Sequence, residues 1–467
     1  LAVTFPCSLN IEKTHSCSEC TPSRKGGGCP NKNCRGRQYT SEEINELALF
    51  GGNKVIKKPF IRYNPIAREE KTAALSVIES GVLSKFLGEW SPDFFGGPKV
   101  QEFERKCKAF FGVRHAIVVN SWTSGLIAAV GAIGIEPGDE VIVSPWTMSA
   151  SATAILHWNA IPVFADIDKQ TFCLDPKSIE SNITEFTKAI MVVDIFGYSA
   201  NMKSIMILAE KYNLKVISDT AQAPGANYYG EYAGTLADIG GYSLNYHKHI
   251  NTGEGGILVT NDDIYADKLR LIRNHAEVVV EAKGNNDLTN MVGYNFRLGE
   301  IECAIGIEQI KKLPELVKKR QTVAELLTKG LTGLKGLQLP YVEDQCSHVY
   351  YSYPMVLDTK LLNVSNQKIA EALIAEGIPG VGTKYQNIHL LPMYQEKIAF
   401  GSKGFPWSSE FCMRDVDYSK GICPVAESLQ DESFLAFGIS QFDLESSDID
   451  LIIRAFHKVW SNLDLLK

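Results

Sequence analysis

The sequence predicts an α/β protein: a large domain around a mostly parallel central sheet, followed by a small α+β domain at the C-terminus. Three observations predict it. Short apolar runs that read as buried strands recur between helical stretches from about residue 116 to 260. After about residue 320 that rhythm gives way to smaller, mixed elements. A chain of 467 residues with 45% hydrophobic content is also long enough to bury more than one core.

Residues 1–38 form a separate segment, rich in cysteine and in turn-forming Gly, Pro and Asn, with almost nothing to pack. Cys17, Cys20, Cys29 and Cys34, spaced C-x2-C and C-x4-C, are candidate zinc ligands, with Cys7 or His15 as spares. A disordered or disulfide-paired tail is the competing reading. Thr40-Ser41-Glu42-Glu43 has the form of a capping box and predicts a short linker helix to about Phe50, within a linker spanning 39–57. The large domain is expected over 58–320, with helices over 68–82 and 100–111 before the alternation begins. Strands are expected at 116–119, 140–143, 162–166, 189–193, 215–218, 239–243 and 256–260. Helices between such strands bury both sheet faces, and ligands then sit at the strands' carboxyl ends. The small domain is expected over 321–467.

Net charge −7, with no long Lys/Arg run, argues against a nucleic-acid partner. The longest nearly uncharged apolar stretch, 124–135, is too short to span a bilayer. Leu1 is not followed by a basic region and a continuous apolar one, so no signal peptide is expected and the cytoplasm is the default location.

Three stretches carry candidate chemistry. Asn120-Ser121-Trp122-Thr123-Ser124 follows a strand and opens a helix, where free amides, the positive dipole end and hydroxyls favour a phosphate; helix capping explains the same residues. Asp219 ends an apolar strand on the ligand side of the sheet. A carboxylate there can pair with a protonated pyridine nitrogen, or cap a helix. Lys248 lies between a strand end and a glycine-rich turn; a desolvated lysine amine captures carbonyls and shuttles protons, although most lysines are surface residues.

Phosphate cup, strand-terminal aspartate and lysine follow the order of aspartate-aminotransferase-type folds. From about Phe60 to the C-terminus the chain resembles the DegT/DnrJ/EryC1/StrS sugar aminotransferases. The resemblance runs through Gly97-Pro98-x-Val100-x-x-Phe103-Glu104, Asn120-Ser121-x-Thr123-Ser124, Pro137-Gly138-Asp139-Glu140 and Asp219-x-Ala221-Gln222-Ala223. It continues through Lys248-x-x-x-Thr252-Gly253-Glu254-Gly255-Gly256, Arg273-Asn274-His275 and Gly293-x-Asn295-x-Arg297-Leu298-x-Glu300. It implies the fold type I of pyridoxal-phosphate transferases, with Lys248 as the Schiff-base lysine, Asp219 on the pyridine nitrogen and Gln222 near the ring hydroxyl. It further implies phosphate contacts from Trp122 and Thr123, through backbone or side chain, from Ser243, and from Asn295 reaching across a homodimer with shared active sites. The implied reaction moves an amino group from glutamate or glutamine to a keto-sugar, commonly nucleotide-linked. His389 and Tyr385 fall in a segment near the acceptor entrance.

The chain departs from the family pattern at three places. Met148 stands where an aromatic ring commonly covers the cofactor, with Trp146 two residues away; Trp122 replaces a glycine; Asp194 replaces a histidine. A dehydratase branch places histidine at the lysine position, and His249 is adjacent, but the count back from Thr252-Gly253-Glu254 selects Lys248. A non-nucleotide keto-sugar or cyclitol acceptor, and a non-catalytic cofactor-binding protein, are the remaining alternatives.

Overall fold

The computed structural model describes residues 46–467. The candidate zinc ligands Cys17, Cys20, Cys29 and Cys34 lie outside the described residues. Among the described residues no group of three or more His, Cys, Asp or Glu is placed to hold a metal ion, and no helix is long and apolar enough to cross a membrane.

Seven strands form the large sheet: β1 (His115–Val119), β2 (Glu140–Val143), β3 (Ile161–Phe164), β4 (Thr187–Val193), β5 (Lys215–Asp219), β6 (Ile239–Ser243) and β7 (Gly256–Thr260). Their spatial order is β1-β7-β6-β5-β4-β2-β3, and only β7 runs against the others. All seven apolar runs read from the sequence therefore become strands of one mostly parallel sheet. Their uniform burial follows from helices packed on both faces.

The helices follow local punctuation. The first, α1 (Arg68–Ser80), starts where the Glu70 carboxylate accepts the Ala67 amide and stops at Gly81, whose φ of 70° is left-handed. Pro98 opens α2 (Pro98–Phe111), and Val100, Phe103, Cys107 and Phe111 form its buried stripe. Ser121 caps α3 (Trp122–Ala132) by accepting the Ser124 amide at 3.0 Å. Ala150–His157 forms α4.

A second, antiparallel sheet comprises β8 (Leu337–Gln338), β9 (Tyr353–Leu357), β10 (Val381–Gly382) and β11 (Phe434–Phe437), in the order β8-β9-β11-β10. The long helix α5 (Glu300–Leu331) serves both cores: Cys303, Ile307 and Leu313 pack with the large sheet, and Val323, Leu327 and Leu331 with the small one. Residue 320, the expected boundary, thus falls inside a continuous helix. Ile388, Tyr394, Tyr418 and Leu429, all within the expected small domain, pack instead on the large-sheet core.

The capping box Thr40-Ser41-Glu42-Glu43 lies outside the described residues; the described part of 39–57 forms a single 3-10 turn, Ala48–Phe50. This segment is not a free spacer. Leu47 and Ile56 enter the small-sheet core, and the Glu376 carboxylate accepts the Ala48 and Val55 amides at 2.8 and 3.1 Å. Lys458, on α6 (Ser446–Trp460), pairs with Glu376 at 2.8 Å and donates to the Asn53 carbonyl. Tertiary anchoring of its backbone supplies here what further helical turns would have supplied.

Candidate active site

The carboxyl ends of β1, β5 and β6 converge. Register pairs Asp219 at the end of β5 with Gly241 of β6, and Ser243 at the end of β6 with Gly256 of β7. Gly256 approaches the chain at Ser121 and Trp122 so closely that a Cβ would lie 3.0 Å from Trp122 Cα, so a side chain there would press on the start of α3. Ser121, Trp122, Asp219 and Ser243 are therefore gathered by backbone pairing before any side chain is considered.

Asp219 is 4% exposed and well satisfied. Its Oδ1 accepts the Trp122 indole N–H at 2.7 Å and the Ala221 amide at 3.2 Å; its Oδ2 accepts the Ser151 hydroxyl at 2.7 Å. Beneath it, Asp194 accepts the Ala200 amide and the hydroxyls of Ser218 and Thr220, bracing the residues on either side of Asp219. Complete burial pushes the Asp194 carboxyl up to about 6.

Lys248 sits in the β6–β7 connection, its amide donating to the Asn245 carbonyl in a tight turn. The side chain is 7% exposed, and among the described residues its amine forms no hydrogen bond; it lies 4.6 Å from the centre of the Tyr351 ring. Burial lowers its pKa to about 8, with Asp219 opposing the shift. His249 is fully buried, its Nε2 hydrogen-bonded to the Val349 carbonyl at 2.7 Å, while its Nδ1 has no hydrogen-bond partner among the described residues.

The remaining candidates divide. The amides of Trp122 and Thr123 make no hydrogen bond among the described residues, and Thr123 is exposed at the start of α3, where the helix favours an anion. Ser243 is buried, and its hydroxyl accepts only the Asn245 amide, at 3.3 Å. Gln222 is held at both ends: its carbonyl accepts the Phe196 amide and its amide donates to the Tyr385 hydroxyl at 2.9 Å. Asn295 lies beside Asn120, which donates to its carbonyl, while its side chain accepts from Arg297. Met148 is 63% exposed, whereas Trp146 is buried against Phe172, Phe196 and Phe434.

Two side chains lie where spacing could not place them. The Trp122 indole packs over Gly241 and Gly125 and donates to Asp219, which leaves its backbone amide as the group open to an anion. His389 does not line an entrance. It is fully buried against Phe164, with Nε2 bonded to Glu427 at 2.9 Å. His389→Ala is therefore expected to lower stability by about 3 kcal/mol through a cavity and an under-satisfied carboxylate. The acceptor KM should stay unchanged, as thermal unfolding and steady-state kinetics on one preparation would show.

Sequence reading missed Ser151 and Tyr351. Ser151 lies in the first turn of α4 and resembles any capping serine; Tyr351 lies more than a hundred residues from Lys248, and no spacing connects them.

The arrangement suits a pyridine-aldehyde phosphate. A desolvated amine without a hydrogen bond among the described residues stands near a fixed carboxylate, with open amides at a helix start, and these are the three groups such a molecule requires.

Residues 89–432 match the model of the DegT/DnrJ/EryC1/StrS aminotransferase family. The chain is 37% identical to the GDP-perosamine synthase of Caulobacter vibrioides over 299 residues, covering 64% of this chain and 79% of that protein. It is 30% identical to the putative L-glutamine:3-amino-2,3-dideoxy-scyllo-inosose aminotransferase of Streptoalloteichus tenebrarius over 429 residues, 91% of this chain and 100% of that one. Its fold superposes on the aminotransferase from Psychrobacter cryohalolentis with a TM-score of 0.73 at 27% identity, covering 87% and 100% of the two chains.

Proposed function

Since the chain belongs to the DegT/DnrJ/EryC1/StrS aminotransferase family, we propose that it transfers an amino group from glutamate or glutamine to the carbonyl of a nucleotide-linked keto-sugar, with Lys248 and Asp219 as its catalytic pair. The observation that carries this reading is the buried Lys248 amine in the β6–β7 connection, whose pKa burial lowers to about 8. Pyridoxal phosphate, the cofactor expected for this family, supplies when bound an aldehyde that exchanges amines and a ring that takes up electrons from a deprotonated substrate carbon.

The chain's own residues do the rest. Lys248 attaches the cofactor through Nζ and, once displaced, carries a proton between cofactor and substrate carbons. Asp219 accepts the ring nitrogen's N–H and keeps that nitrogen protonated. The free amides of Trp122 and Thr123, with Ser243, hold the phosphate, and Gln222 lies toward the ring hydroxyl. Asn295 completes the phosphate site of a partner subunit in a homodimer. Met148 covers the ring with a thioether in place of an aromatic face. Tyr385, tied to Gln222, stands at the acceptor side. The cofactor-binding unit is built around the large sheet over about 58–320, with the helix Glu300–Leu331 running on into the smaller C-terminal unit and the segment around 388–429 packing back on the large-sheet core.

Glutamine as donor and a cyclitol as acceptor form a second reading, favoured by the full-length similarity to the Streptoalloteichus protein. Incubating loaded enzyme with glutamate or glutamine should bleach its visible absorbance; adding the correct keto-acceptor should restore it. A nucleotide-linked keto-sugar that restores it supports the first reading. Restoration by scyllo-inosose-type ketones alone supports the second, and no bleaching by either donor overturns both.

Attachment requires the unprotonated amine. Because burial places the Lys248 pKa at about 8, cofactor capture by the apoenzyme should rise with pH to a midpoint near 8, against ~10.4 for a solvated lysine. Stopped-flow absorbance across pH 6.5 to 10.5 measures it, and a midpoint near 10 would contradict the burial.

A further inference from the structure

We infer that Trp122 is a positioning residue for Asp219: its indole N–H fixes the carboxylate and selects which of its oxygens meets the cofactor. This rests on the reading of Asp219 as the partner of the cofactor's ring nitrogen.

An ionised carboxylate has about four lone-pair sites, two on each oxygen. On Asp219, Oδ1 has both filled, by Trp122 Nε1 at 2.7 Å and the Ala221 amide at 3.2 Å. Oδ2 has one filled, by the Ser151 hydroxyl at 2.7 Å, and one free. The Ser151 hydroxyl has only one proton, and its other neighbours, Thr147 Oγ1 and the Met148 carbonyl, lie 3.4 Å away, so that proton belongs to Asp219. A cationic N–H arriving at this site finds one acceptor position, on Oδ2. The carboxylate plane is fixed from both sides, and rotation would break two short bonds to a charged acceptor.

The local structure is built around this indole. Trp122 is the first residue of α3, and its ring can cross to β5 only because the positions beneath it lack side chains. A Cβ at Gly241 would lie 2.4 Å from the ring, and one at Gly125 2.8 Å. With Oδ1 occupied by the indole, the free Oδ2 position is held in one place to receive the ring nitrogen's N–H.

The test is Trp122→Phe, which keeps an aromatic ring over the glycines and removes the N–H. Apoenzyme would be titrated with pyridoxal phosphate by equilibrium dialysis, and the 15N shift of ring-labelled cofactor followed from pH 6 to 10. The expected result is roughly tenfold weaker binding, the loss of one hydrogen bond to a charged acceptor. The ring nitrogen should also lose its proton at lower pH than in the wild type. Unchanged affinity together with an unchanged 15N titration would overturn the inference and leave Trp122 a packing residue. If Trp122→Phe does not fold, benzothienylalanine at position 122 removes the same N–H at nearly constant shape and is read against the same two outcomes. Failure of the underlying reading looks different: wild-type apoenzyme would show no protonated ring nitrogen, and Asp219→Asn would leave its 15N titration unmoved.

Discussion

Lys248→Ala is expected to abolish transamination, lowering turnover by on the order of 10⁴-fold, while making the apoenzyme more stable at neutral pH. The first half follows from the loss of both the attachment point and the proton carrier, and small primary amines added to the variant should restore part of the rate. The second half follows from burial. The folded pKa is about 8 against a reference value of 10.5, so the folded state binds the lysine proton more weakly. Below pH 8 both states are protonated, and the folded state bears a penalty of up to about 3 kcal/mol. Between pH 8 and 10.5 only the unfolded state stays protonated, so stability rises with pH and the penalty fades. Removing the amine removes the penalty, and it sacrifices no hydrogen bond among the described residues. Urea denaturation of both apoenzymes at pH 7 and pH 10.5 should show the variant ahead at pH 7 and that lead shrinking at pH 10.5. An equal lead at both pH values would place the amine in water.

Asp219→Asn is expected to cost about 10²–10³-fold in kcat, equivalent to roughly 3–4 kcal/mol, with a smaller effect on acceptor KM. The amide keeps the shape of the carboxylate but removes the charge that holds the ring nitrogen protonated. One of its ends must also present N–H groups to the donors of Trp122, Ala221 or Ser151, which are already pointed at it. The variant should therefore lose stability as well as rate, and thermal unfolding beside single-turnover kinetics separates the two. Full rate in Asp219→Asn would remove Asp219 from the chemistry.

These expectations differ in how far the chain alone could have supplied them. The large sheet was legible because each of its strands holds a short apolar stretch between helical segments, and burial on both faces leaves a similar signature in most of them. The order of Ser121, Asp219 and Lys248 was legible because each follows a strand end, and strand ends in such a sheet share one edge. The direction of a side chain was not. Spacing places Trp122 at the start of a helix, but only the pairing of β6 with β5 and β7 brings Gly241 beneath its ring. His389 was misjudged for a related reason. Its buried partner Glu427 lies 38 residues away, and the intervening segment folds back onto the large sheet where a separate C-terminal domain was expected. The segment from Leu47 to Ile56 shows the limit of local signals from the other side: its backbone is held by Glu376 and Lys458, hundreds of positions downstream.

That last attachment has a consequence for how the protein is made. Asn53 meets Lys458 across 405 residues, so the strap emerges from the ribosome long before its anchor exists. At ~5–20 residues per second, the wait is roughly 20–80 s. During that interval Leu47 and Ile56 have no core to enter, and the large sheet can be assembled while the strap remains unplaced. The earliest described residues to be synthesised are thus among the last to settle, and they do so only once the final helix has left the tunnel.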